Sequence, residues 1–224
     1  MNYGGILQAY ALQTVLQRMG HEVTLLDGNT KAYNPWWHFP LSFAKRCLKK
    51  YFLGDKDAIL FAEHKQNREM PILRRNTDRF IQSHFPNRFL YRHIEKEIHS
   101  GMFDVIIVGS DQIWRPKYYP NISHAYLDFT RGWNIRRIAY AVSFGTEDWE
   151  YTEQETEACR QLVQMFSGIS VRENSAVWLC KQHLGRTPEW VLDPTLLLVP
   201  NYYLSLCSEQ NRKPEREGQT LVYI

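Results

Sequence analysis

The sequence predicts an α/β fold built on a doubly wound, mostly parallel sheet. Short apolar runs alternate with longer segments of helical periodicity, and the runs stop abruptly at glycine or polar residues. The clearest run is Asp104 to Val108, almost wholly apolar and β-branched, which turns at once to Gly109, Ser110 and Asp111. Such a composition suits a parallel strand buried on both faces, and parallel strands need helical crossovers between them.

From Gly4 to Asp27 the pattern reads as a glycine turn, then a helix with Leu12, Val15, Leu16 and Met19 on one face. Gly20 stops that helix, and Val23 to Leu26 form a strand. A parallel sheet wants a strand before Gly4, where only Met1, Asn2 and Tyr3 stand, so the amino terminus reads as truncated. Residues 33–55 are rich in aromatic and basic side chains, with Pro35 and Pro40, and suggest a loosely helical insertion. Its aromatics Trp36, Trp37, Phe39, Phe43 and Tyr51 read as packing rather than as a stacking platform. Asp57 to Phe85 is helical in pattern, with Leu73, Thr77, Phe80 and Ile81 at helical spacing and an interruption at Pro71.

Beyond the strand at 104–108 the alternation becomes regular. A strand near Ile138 to Val142 ends at Ser143, Phe144 and Gly145. The next helix opens with a capping box, Thr152 and Glu155, buries Ala158, Leu162, Met165 and Phe166, and is ended by Gly168. Ile169 to Val171 then meets Arg172 and Glu173, where a helix carrying Val177, Cys180 and Leu184 begins. Trp190 to Leu192 ends at Asp193 and Pro194. Thr220 to Ile224 reads as a strand barely begun, so the carboxyl terminus also reads as cut. The expected organisation is one Rossmann-like domain over residues 1–200, with an aromatic-rich helical insertion at about 33–85, and the start of a second, largely missing domain at 201–224.

Composition narrows the function classes. With 224 residues, 44% of them hydrophobic, the chain has ample material for a packed core, and its net charge of +3 is spread without basic runs. Nothing calls for nucleic acid. No stretch is apolar for long enough to cross a bilayer and no signal peptide precedes the first motif, which points to the cytoplasm. Cys47, Cys159, Cys180 and Cys207 are too widely spaced for a zinc site, and a disulfide framework is not expected.

Three strand ends carry polar groups: Ser110 with Asp111, Ser143 with Gly145, and Arg172 with Glu173. In a parallel sheet these ends share the rim where ligands bind. Ser110 and Asp111 read equally as turn residues capping the next segment. Arg172 is suited to a carboxylate or phosphate ligand, or else to an ion pair with Glu173 or another acid. Gly4 and Gly5 could offer backbone amides to an anion, although neither a GxGxxG nor a Walker lysine accompanies them. The histidines are scattered, and no Gly-x-Ser-x-Gly elbow exists.

Taken together, NYGGILQAYALQ, FDVIIVGSDQIW, RIAYAVSFG, GISVRE and WVLDPTLLL, in this order from Asn2 to Leu198, resemble the polysaccharide pyruvyl transferase family. The resemblance implies the amino-terminal half of a two-domain, glycosyltransferase-B-like fold. It also implies an enzyme without a cofactor or metal that transfers the enolpyruvyl group of phosphoenolpyruvate to a saccharide. On that resemblance Arg172 binds the donor, Asp111 orients or deprotonates the acceptor hydroxyl, and Gly4, Gly5, Ser110 and Ser143 shape the site. The family's general acid is a histidine of the carboxyl-terminal half, with no counterpart in this sequence, so the isolated chain is expected to catalyse poorly. The acceptor would be a cell-surface polysaccharide or its precursor, with peripheral membrane association if that precursor is lipid-linked. A nucleotide-sugar glycosyltransferase of the same fold and a non-catalytic truncated domain are the alternatives.

Overall fold

The computed structural model describes residues 3–28, 43–44, 47–48, 62–119 and 121–207. Helix α1 (Tyr3–Arg18) leads to strand β1 (Leu25–Gly28), and the long helix α2 (Ala62–His84) leads to β2 (Arg88–Tyr91). After the short helix α3 (Ile94–Glu97) come β3 (Val105–Val108), helix α4 (Ile122–Ala125) and β4 (Arg136–Val142). Helix α5 (Glu153–Val163), β5 (Gly168–Val171), helix α6 (Asn174–Leu179) with a π-helical continuation over Cys180–Leu184, β6 (Glu189–Trp190), a 3-10 turn (Pro194–Leu197) and α7 (Pro200–Leu206) complete it.

All strand pairings among the described residues are parallel. β1 pairs with β2, and β3, β4, β5 and β6 form a second sheet in that order. This is the mixed α/β, Rossmann-like arrangement the sequence predicts. Thr152 and Glu155 form the expected capping box, each side chain taking up the other residue's backbone N–H.

Several local expectations need correction. Gly4 and Gly5 lie in the first turn of α1 rather than in a turn before it; amides there need no intrahelical partner, so glycine is tolerated. Gly20 does end α1: at φ 91° it lets its own N–H reach Gln17 O and that of His21 reach Leu16 O. α2 runs through Pro71 unbroken, because a helix of 23 residues tolerates one missing hydrogen bond. Met19 and Leu73 are exposed, β2 was not foreseen, and Gly168 begins β5 instead of ending α5. β3 is an edge strand in its sheet, with Ile106 and Val108 buried and Val105 exposed, so only one face is fully covered. The aromatics of residues 33–42 and Tyr51, and the strand at 220–224, lie outside the described residues.

The core lies against β3–β5. Trp114 is wholly buried, stacks on Tyr126 at 4.4 Å and donates from Nε1 to Ala125 O. Tyr151 gives its hydroxyl hydrogen to Trp114 O at 2.6 Å, so Tyr126 is the donor in the 2.9 Å contact between the two phenols. Cys159 and Cys180 are buried in the same core, and burial pushes both thiols up to about 12. The guanidinium of Arg137, also buried, clamps the preceding loop through Thr130 Oγ1 and the carbonyls of Thr130, Trp133 and Ile135.

Candidate functional site

The site is assembled at the carboxyl rim of β3–β6, where parallel pairing brings four strand ends side by side. Gly109 turns the chain at φ 136°, and any Cβ there would overlap the Tyr140 carbonyl oxygen. Glycine is what lets the Gly109–Asp111 turn lie directly on β4. Backbone bonds lock that turn: Ser143 N donates to Asp111 O, and Trp114 N donates to Ser143 O. β4 itself carries a bulge. Ala141 adopts φ 50°, the register with β5 shifts between Ala139 and Val142, and Ser170 Oγ bridges the defect by donating to Ala139 O and accepting from Ala141 N. The bulge leaves Ala141, Val142 and Ser143 buried in succession, so Ser143 is turned into the rim.

Arg172 is the centre of the constellation. Its Nε donates to Glu173 Oε1 at 2.8 Å, its Nη1 to Asp193 Oδ2 at 3.3 Å, and its Nη2 lies 3.8 Å from Asp111 Oδ1, too far for a hydrogen bond. Ser143 Oγ donates to Glu173 Oε1 at 2.7 Å and accepts from Gly145 N. Asp193 is held from the other side: Oδ1 accepts from the amide and hydroxyl of Thr195, and Oδ2 accepts from Gln8 Nε2 of α1 at 2.5 Å. Burial opposes the ionisation of Asp193, but those hydrogen bonds and the Arg172 charge outweigh it and hold its pKa below the ordinary carboxylate value. For Arg172 burial likewise opposes charge, and the bond to Glu173 with the neighbouring acids raises its pKa nonetheless.

The rim therefore joins Ser110, Asp111, Ser143 and Arg172, and Arg172 makes the ion pairs that its sequence setting suggested as one alternative. Gly4 and Gly5 lie one turn from Gln8 on α1, with Gly4 on the same helix face. Two further participants, Asp193 and Gln8, were not singled out. Asp193 ends a strand just as Arg172 does, so the strand-end rule reaches it. Gln8 has no sequence signal, because its place depends on how α1 docks. A separate cleft of about 350 Å³, lined by Trp149, Tyr151, Glu153, Thr156, Glu157, Arg160 and His183, contains none of these residues.

The model of the polysaccharide pyruvyl transferase family matches residues 2–220 of the 224. The chain belongs to this family. No curated protein and no solved structure matches it. The matched span of the polysaccharide pyruvyl transferase model includes every rim residue from Gln8 to Asp193. Among the described residues of this family member, no helix is long and apolar enough to cross a membrane.

Proposed function

We propose that the chain acts in pyruvyl transfer, moving the enolpyruvyl group of phosphoenolpyruvate onto a sugar of a cell-surface polysaccharide or its precursor to form a pyruvate ketal. The observation that carries this reading is the convergence of Arg172, Asp111 and Ser143 on one rim, within a chain matched by the family almost throughout. Arg172 Nη2 is the part of the guanidinium fork that a donor anion would engage, since Nε and Nη1 are hydrogen-bonded to Glu173 and Asp193 while Nη2 stands 3.8 Å from Asp111 Oδ1. Asp111 orients or deprotonates the acceptor hydroxyl; Ser110, Ser143, Gly4 and Gly5 shape the surroundings. The reaction needs such groups because positive charge builds at C2 as the donor's methylene carbon is protonated and phosphate leaves.

Three carboxylates face one guanidinium at this rim, so an anionic donor gains little from Arg172 alone. Further cationic groups and a general acid are therefore needed beside this rim for efficient transfer. The setting we propose is the cytoplasm, with peripheral membrane association if the precursor is lipid-linked.

The decisive experiment is a thermal-shift titration with phosphoenolpyruvate against nucleotide-sugars, on the chain and on Arg172→Ala. Stabilisation by phosphoenolpyruvate that the substitution abolishes is the expected result. Stabilisation by a nucleotide-sugar instead would assign a glycosyltransferase, and a folded chain that responds to neither would be a non-catalytic domain.

A further inference from the structure

Buried polar side-chain atoms are almost always hydrogen-bonded, and each exception asks for an explanation. Among the described residues two such atoms have no partner, Ser110 Oγ and Glu173 Oε2. Both belong to the candidate rim, one at the end of β3 and the other just beyond β5.

Glu173 is unusual in a second way. It occupies the residue before α6, with extended φ −110° and ψ 142°, yet its side chain makes no capping bond. Serine, threonine, asparagine and aspartate serve that position; a glutamate turned away from it gives up a stabilising cap. The carboxylate is instead fixed through one oxygen only. Oε1 accepts from Ser143 Oγ at 2.7 Å and from Arg172 Nε at 2.8 Å, and this two-point hold orients Oε2 while leaving it unpaired. Ser110 is 4% exposed, so its hydroxyl is equally shielded from water. A residue that forgoes its local structural role, and keeps an acceptor atom dry and oriented, is suited to a ligand that brings its own hydrogen.

We infer that Glu173 Oε2 receives a hydroxyl of the saccharide acceptor and that Ser110 Oγ adds a second hydrogen bond to the same sugar. This inference rests on the pyruvyl-transfer reading for the nature of the acceptor. Ketal formation consumes two hydroxyls, and two carboxylates, Asp111 and Glu173, flank Arg172 to serve them. In the first bond-forming step a proton from water or a general acid adds to C3 of the enolpyruvyl group, taking up the electron pair of the C2=C3 bond. The acceptor oxygen bonds to C2, its O–H bond breaks, and the proton passes to Glu173 Oε2. The second hydroxyl then displaces phosphate, which leaves with the pair of the C–O bond, while the proton of that hydroxyl goes to Asp111.

The test is saturation-transfer NMR on the purified chain with methyl β-galactoside, methyl α-mannoside and methyl β-glucoside as probes, repeated on Glu173→Gln, Glu173→Asp and Ser110→Ala. At least one glycoside should bind the unsubstituted chain. Glu173→Gln should weaken that binding about tenfold or more, because its amide offers donors, not an acceptor, to the incoming hydroxyl. Glu173→Asp keeps the charge with a shorter reach and should also weaken binding. Absence of any glycoside signal, or unchanged affinity in Glu173→Gln, would overturn the inference. If Glu173→Gln does not fold, unchanged affinity in Glu173→Asp would do the same. Failure of phosphoenolpyruvate to stabilise the chain would count against the donor reading alone, since glycoside binding does not depend on it.

Discussion

The four-stranded sheet and the two-stranded sheet are held in different ways. β3–β6 rest on a continuous core in which Trp114, Tyr126, Leu162 and Leu179 have almost no exposed surface. β1 and β2 contain no fully buried residue, and the buried side chains near them, Ala11, Ile81 and Phe85, come from or adjoin the helices. The candidate site stands on the first sheet. One of its carboxylates is nevertheless gripped by Gln8 of α1, whose Gln13 is in turn bonded to His84 O at the end of α2. α1 thus packs on the turn after β6 and also reaches α2, so it ties the rim to the second region.

The largest expected contrast is in the cores. Trp114→Ala should cost about 3–5 kcal/mol in urea unfolding, whereas Leu25→Ala in half-buried β1 should cost about 1 kcal/mol. Equal costs would erase the distinction between the sheets. Next in size is Gly109→Ala, which forces a Cβ onto the Tyr140 carbonyl at φ 136° and should cost about 2 kcal/mol or more. Gly132→Ala, at φ 78° with open surroundings, carries the backbone penalty alone, about 1 kcal/mol. If calorimetry ranks Gly132→Ala as the more damaging, steric closeness at the rim is not what demands glycine.

The smallest effects concern the link between the regions. Asp193 has a depressed folded pKa, so its stabilising contribution is present above the ordinary aspartate value of about 3.9 and disappears as pH falls through the folded value. Gln8→Ala removes one of the bonds that depress it. Near neutral pH the variant should lose only about 1 kcal/mol, and its acid unfolding limb should move to slightly higher pH. Melting curves across the acid range decide this, and superimposable limbs would show that Gln8 contributes nothing to the rim.

The sequence made legible what depends on local pattern. The strands at 105–108, 136–142 and 168–171, and the capping box at Thr152, follow from periodicity and turn chemistry. Convergence of Ser110, Asp111, Ser143 and Arg172 followed from one rule about parallel strand ends. Missing were features set by tertiary context: β2, whose sequence RFLY lacks the β-branched apolar run of β3, the bulge at Ala141, and Gln8, which matters only because α1 docks beside Asp193. Pro71 misled in the opposite direction, since a local break signal lost to the helix around it.

Cys159 and Cys180 give the molecule a built-in clock. With thiols pushed up to about 12, only about one molecule in 10⁵ carries a thiolate at either position at neutral pH while the fold is closed. Exposed Cys207 has no such shelter. An alkylating reagent should therefore mark Cys207 promptly and reach Cys159 and Cys180 only when the core between α5 and α6 opens. The rate of that slow labelling reads the opening of the four-stranded half directly, with no probe added to the chain.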